Sequence, residues 1–164
     1  MIFGDPYLFG IWLEKVDSWN SLDFENKSEG ICAIFINGHM IPNQLPEKST
    51  FLDNSIRSLT NFFEVIDNLE NEKLFNLSKE DRFKFFEKTV HYKNQDLSEE
   101  DSFVFWQYCL TDYIDNPMEC DNIWYVSFQN KEKLIYLYYD IIYEMEFEKG
   151  TIKQVIGQAL KSKP

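Results

Sequence analysis

Asn37-Gly38 stands between the apolar run Ile31–Ile36 and the short segment His39-Met40-Ile41. A type I′ turn needs positive φ at both central residues, and Asn-Gly tolerates that geometry best. Strands flanking such a pair must fold back on each other. Pro42 and Pro46 close the unit, since proline donates nothing to a ladder. An antiparallel hairpin therefore lies early in the chain, and the remaining sequence must supply what covers its apolar strand.

Upstream, Tyr7 to Val16 reads as a strand with Phe9, Ile11 and Leu13 on one face. It is entered through a turn at Asp5-Pro6, because the residue before proline is pushed away from helix. Asp17 to Gly30 is polar and reads as a loop anchored by Trp19 and Phe24. The middle of the chain has helical spacing. Leu52, Ile56, Leu59, Phe63 and Ile66 mark one helix, with Thr50 and Asp53 placed as an N-terminal cap. Ser78 opens a second, with Glu80 and Asp81 in its first turn and Phe83, Phe86 and Val90 as its stripe. Ser98, followed by Glu99, Glu100 and Asp101, marks a third start. There Phe103, Trp106, Leu110 and Tyr113 fit a helix; Phe103 to Leu110 also fits a strand, and helix is the preferred reading.

The C-terminal third returns to a period of two. Asn122 to Phe128 and Lys133 to Tyr139 flank a turn at Asn130-Lys131. Ile141, Tyr143, Met145 and Phe147 then alternate with Ile142, Glu144, Glu146 and Glu148, as in a half-solvated antiparallel strand. Gly150 ends it. Thr151 begins a last helix whose apolar face is Ile152, Val155, Ile156 and Leu160. The expected class is α+β: one mainly antiparallel sheet, made from the N-terminal strand and hairpin plus a C-terminal three-strand meander, with a helical middle and a C-terminal helix. The 164 residues suit a single domain, 1–164, and fifteen Phe with nine Tyr are enough to fill its core.

The net charge of −12 repels phosphate backbones and anionic lipid, so neither nucleic acid nor membrane is an expected partner. No apolar run approaches the ~20 residues that span a bilayer, and no basic-then-apolar leader opens the chain. Cys32, Cys109 and Cys120 are an odd, scattered set, which points to free thiols in a reducing cytoplasm.

Reactive constellations are sparse. The two histidines are His39, after the hairpin turn, and His91, near a helix end where the dipole favours it. There is no G-x-S-x-G elbow, no phosphate-cradling glycine loop and no C-x-x-C or H-E-x-x-H pair. Asp96 to Ser102 starts like a calcium loop, but Asp101 stands where the turn needs glycine. No catalytic, cofactor or metal residue is assigned. What remains are acidic clusters: Glu99, Glu100 and Asp101; Asp112, Asp115, Glu119 and Asp121 around Pro117; and the ridge Glu144, Glu146 and Glu148. Each is either a solvated surface or a docking surface for a basic partner, with Trp106, Tyr108 or Tyr113 as aromatic anchors.

The opening Met1-Ile2-Phe3-Gly4-Asp5-Pro6-Tyr7-Leu8-Phe9, continuing to Ile11, resembles immunity protein family 42 of bacterial polymorphic toxin systems. The early Asn-Gly hairpin, Lys133 to Tyr136 and the closing Lys149-Gly150-Thr151 are also similar to that family's layout. The resemblance implies a small cytoplasmic protein that binds and neutralises the toxic domain of a cognate effector, with no cofactor and no catalytic residues. Gly4, Asp5 and Pro6 match the family opening, and their expected role is backbone geometry. An acidic inhibitor suits a basic toxin that attacks nucleic acid. Two other readings stand beside this one: an acidic protein-binding adaptor, and a small carboxylate-dependent hydrolase.

Overall fold

The computed structural model describes residues 1–19, 28–44, 50–90, 98, 104–111 and 122–162. The class is α+β. The strands form two sheets, however, where one was expected.

The first sheet begins with a strand that the sequence did not announce, β1 (Ile2–Asp5), followed by β2 (Phe9–Lys15), β3 (Glu29–Ile36), β4 (His39–Ile41) and the short β5 (Thr50–Phe51). Its order is β1-β2-β3-β4, with β5 also on β3, and all pairings are antiparallel. The Asn37-Gly38 turn forms as expected, with φ of 54° and 77°. The register places Phe9 opposite Ile36, Ile11 opposite Ile34 and Leu13 opposite Cys32. These six side chains share one face and are all buried, because a period of two sends alternate residues to the same side.

The helical middle is α1 (Leu52–Val65), α2 (Glu72–Phe75) and α3 (Lys79–Val90). Two capping details depart from the sequence reading. The N-cap of α1 is Phe51, without a side-chain cap, since Thr50 and Phe51 are drawn into pairing with β3. The Asp53 carboxylate instead accepts from the Ser28 backbone N–H at 3.1 Å. By contrast, Ser78 and Asp81 cap α3 reciprocally: the Asp81 N–H donates to Ser78 Oγ at 3.1 Å, and that hydroxyl donates to Asp81 Oδ2 at 2.7 Å. Of the span Phe103 to Leu110, Phe103 lies outside the described residues and Val104 is helical. Phe105–Tyr108 is a 3-10 turn, and Cys109 bridges to Trp124 beyond it.

The second sheet is the expected meander, β6 (Ile123–Phe128), β7 (Lys131–Tyr138) and β8 (Ile141–Glu148), followed by α4 (Thr151–Ser162). The first turn falls at Gln129-Asn130, so β7 starts at Lys131, two residues earlier than expected. The outer edge of β6 is covered by chain: Ser127 N–H donates to Leu69 O at 3.2 Å, Asn71 N–H to Ser127 O at 2.9 Å and Leu110 N–H to Ile123 O at 2.8 Å. A strand edge closed this way offers no template for another strand.

Helices α1 and α4 pack on the apolar face of the first sheet. At the hairpin end that face meets the meander, where the Phe9 and Phe147 rings lie edge to face at 6.3 Å. The other face of the meander receives α2 and α3: Trp124 stacks on Phe86 at 4.8 Å, and Phe75 leans on Phe128 at 6.2 Å. One apolar cluster runs through both sheets and the helices between them.

Candidate docking surface

His39 is the histidine that the structure describes; His91 lies outside the described residues. The hairpin places the His39 ring against β7 and β8, stacked on Tyr138 at 4.2 Å and edge-on to Tyr143 at 4.6 Å. Its Nδ1 lies 2.9 Å from the Tyr136 hydroxyl, which is also 3.3 Å from Ile36 O. Burial, together with the neighbouring Tyr143 and Tyr138, pushes the Tyr136 phenol well above its ordinary pKa, so it keeps its proton. Among the described residues the ring is boxed by tyrosines and bound to a hydroxyl, with no hydrogen bond to a carboxylate. It is built as packing that locks the two sheets together.

Cys32 and Cys109 are buried; Cys120 lies outside the described residues. No group of three or more His, Cys, Asp or Glu among the described residues is placed to hold a metal ion. A cleft of about 530 Å³ lies along α4, lined by Phe63, Lys153, Gln154, Gln158 and Lys161 with two glycines. Its described lining holds no acid and no histidine.

Of the acids singled out in the sequence, Glu99, Glu100, Asp101, Asp112, Asp115, Glu119 and Asp121 lie outside the described residues. Glu144, Glu146 and Glu148 do share one face of β8, as their alternation demands. That face is not an open negative ridge. The register sets Glu144, Glu146 and Glu148 beside β7, and Lys133 reaches Glu144 at 3.3 Å and Glu146 at 3.8 Å, while Lys131 reaches Glu148 at 2.6 Å and Glu146 at 3.6 Å. Glu144 also receives Arg82 of α3, whose side chain is fully buried. Three carboxylates thus face three cations.

The two described aromatic anchors proposed from sequence do not lie on an open surface. Tyr108 is buried, Trp106 is half-buried against Trp124, and Tyr113 lies outside the described residues. Among the described residues the large exposed aromatics are Tyr7 and Tyr139, at 77% and 67% exposure, accompanied by Leu8 at 51% and Ile141 at 54%. Tyr7 and Leu8 lie in the β1–β2 turn, Tyr139 in the β7–β8 turn, and Ile141 opens β8. In the β1–β2 turn the Asp5 carboxylate accepts from Tyr7 N–H at 2.8 Å, and Leu8 N–H donates to Asp5 O at 3.0 Å. That turn is stitched to the hairpin turn by Asn37 N–H to Leu8 O at 3.1 Å and Gly38 N–H to Pro6 O at 2.9 Å. The adjoining His39 stacks on Tyr138, whose ring meets Tyr139 at 4.7 Å in the β7–β8 turn. A signal for these residues was present in the sequence: an aromatic at the tip of a turn has no core to enter.

Among the described residues no helix is long and apolar enough to cross a membrane. The family profile described as immunity protein 42 matches residues 1–162. Among solved structures, CdiI from Burkholderia dolosa AUO158 superimposes with a TM-score of 0.76 at 18% identity, over 99% of this chain and 99% of that one. At that identity the likeness is one of fold. No curated protein matches the chain.

Proposed function

The chain belongs to the immunity protein 42 family, which makes it an immunity protein that binds and neutralises a cognate toxin, and on that premise we propose that it does so purely by occupying the toxin's surface, with no catalysis of its own. In this reading residues 1–164 act as one domain in the cytoplasm. The observation that carries it is the extent of the family match, which takes in all but two of the 164 residues. The inert surroundings of His39 and the buried thiols support the absence of chemistry.

The net charge of −12 favours a basic toxin, of the kind that must itself attract nucleic acid. Glu99, Glu100, Asp101, Asp112, Asp115, Glu119 and Asp121, with Glu144, Glu146 and Glu148, are the acids proposed to draw such a toxin in. The last three contribute least, since Lys131, Lys133 and Arg82 already balance them. Long-range attraction speeds capture, and rapid capture is what protection from free toxin demands.

The test is co-expression. The toxic domain encoded by the adjacent gene is induced in cells with and without this chain, and survival is scored alongside binding of the purified pair. Rescue with a stable complex is the expected result. Loss of viability in both strains, with no complex formed, would overturn the reading.

A further inference from the structure

Tyr139 holds a left-handed backbone, with φ of 48°, and Asp140 follows at 62°. This is the turn geometry that the first hairpin satisfies with Asn37-Gly38. A bulky residue in that region is strained where Asn or Gly would sit easily, and such strain persists where a site requires the side chain. The Tyr139 ring repays nothing by packing inward, being 67% exposed. It adjoins Tyr138 and, through His39 and the stitched turns, the exposed Tyr7 and Leu8. Clustered exposed apolar groups of this kind mark interaction sites, and tyrosine is among the residues that most often anchor them.

We propose that the turns Pro6–Leu8, Asn37–His39 and Tyr138–Ile141 form the anchoring surface for the toxin, and that the segment they receive is cationic, carrying arginine or lysine beside apolar groups. The inference rests on the immunity reading and adds where contact is made. Charge identifies the occupant. The three turns and Asp5 contain no lysine or arginine. Asp5 and Asp140 have no cationic partner among the described residues, unlike the acids of β8. Tyrosine faces attract guanidinium and ammonium groups, and the two carboxylates can pair with them. Remote acids then govern how fast the toxin arrives, and the tyrosines govern how slowly it leaves.

The experiment measures association and dissociation rates of the purified chain with the inactivated toxic domain encoded by the adjacent gene. Three double variants are compared: Tyr7→Ser with Leu8→Ser, Tyr139→Asn with Asp140→Gly, and Glu146→Gln with Glu148→Gln. The second installs the relaxed turn chemistry, so it should melt at the same temperature as the parent or higher, which removes misfolding as an explanation. Both turn variants should dissociate about 10-fold faster or more; the β8 variant should stay within about twofold of the parent. Turn variants that dissociate at the parental rate, or a loss confined to the β8 variant, would overturn the proposal. So would a parent chain that sediments as a dimer and is split by the turn variants, since the surface would then belong to a second copy. A parent that neither binds nor protects would remove the immunity reading itself, and the anchor with it.

Discussion

Arg82 carries its charge where no water reaches it. Its Nε donates to Leu74 O at 2.6 Å, its Nη2 to Phe75 O and Leu77 O at 2.6 Å each, and its Nη1 to the Glu144 carboxylate. Carbonyls at and just beyond a helix end are short of donors, and this one guanidinium reaches three of them, Leu74 O being shared with the Leu77 N–H. Glu132 is the acidic counterpart. It is buried on β7, accepts from Ile152 N–H at 2.8 Å, Gly150 N–H at 3.1 Å and Tyr125 O–H at 3.0 Å, and so serves the N-terminal end of α4. Removing one member of such a network leaves buried groups unpaired. Arg82→Ala is expected to lower unfolding free energy by roughly 3–5 kcal/mol in urea titration, with Arg82→Lys recovering little, because an ammonium cannot span four acceptors. A cost under about 1 kcal/mol would show that the network is dispensable. Sequence periodicity gives no hint of this residue, since a charge beside Phe83 is assigned to solvent by default.

At the scale of elements, the Gly4-Asp5-Pro6 opening acquires a physical reason. Gly4 has a φ of 79°, and an added Cβ would lie 2.4 Å from the Phe9 carbonyl oxygen and 2.9 Å from Val155 Cγ1 on α4. Glycine is therefore required both by conformation and by the close approach of β1, β2 and α4. Gly4→Ala should cost about 2–4 kcal/mol, the sum of left-handed strain and overpacking, read as a shift in denaturation midpoint and faster amide exchange in β1. An unchanged midpoint would refute this account. β1 itself was missed because four residues, one of them Gly and one Asp, carry little strand propensity; its pairing with β2 creates it. The same override moved the start of α1, where β5 displaced the Thr50 cap, and turned Phe105–Tyr108 into a 3-10 segment that brings Cys109 alongside β6.

For the molecule as a whole, 28 acidic residues against 16 basic ones set a long-range field that local pairing on β8 does not cancel. Raising ionic strength from about 0.01 M to about 0.15 M shortens the screening length from roughly 30 Å to 8 Å. Association with the toxin is expected to slow about 10-fold or more over that range, while dissociation changes little. A flat salt dependence in stopped-flow mixing would mean that the toxin is not drawn in by charge.

The Asn37-Gly38 hairpin, the β8 alternation, the Ser78 cap and the apolar face of α4 were all legible in the chain, because each depends on residues within a few positions of one another. The α+β class and the family resemblance followed from the same local patterns. The split into two sheets, the boxing of His39 by Tyr136, Tyr138 and Tyr143, the neutralisation of Glu144 by Arg82 and the linking of three turns through His39 and Tyr138 all join segments far apart in sequence. Only packing decides which distant groups meet, and so which acids are already paired and which aromatics are left facing outward.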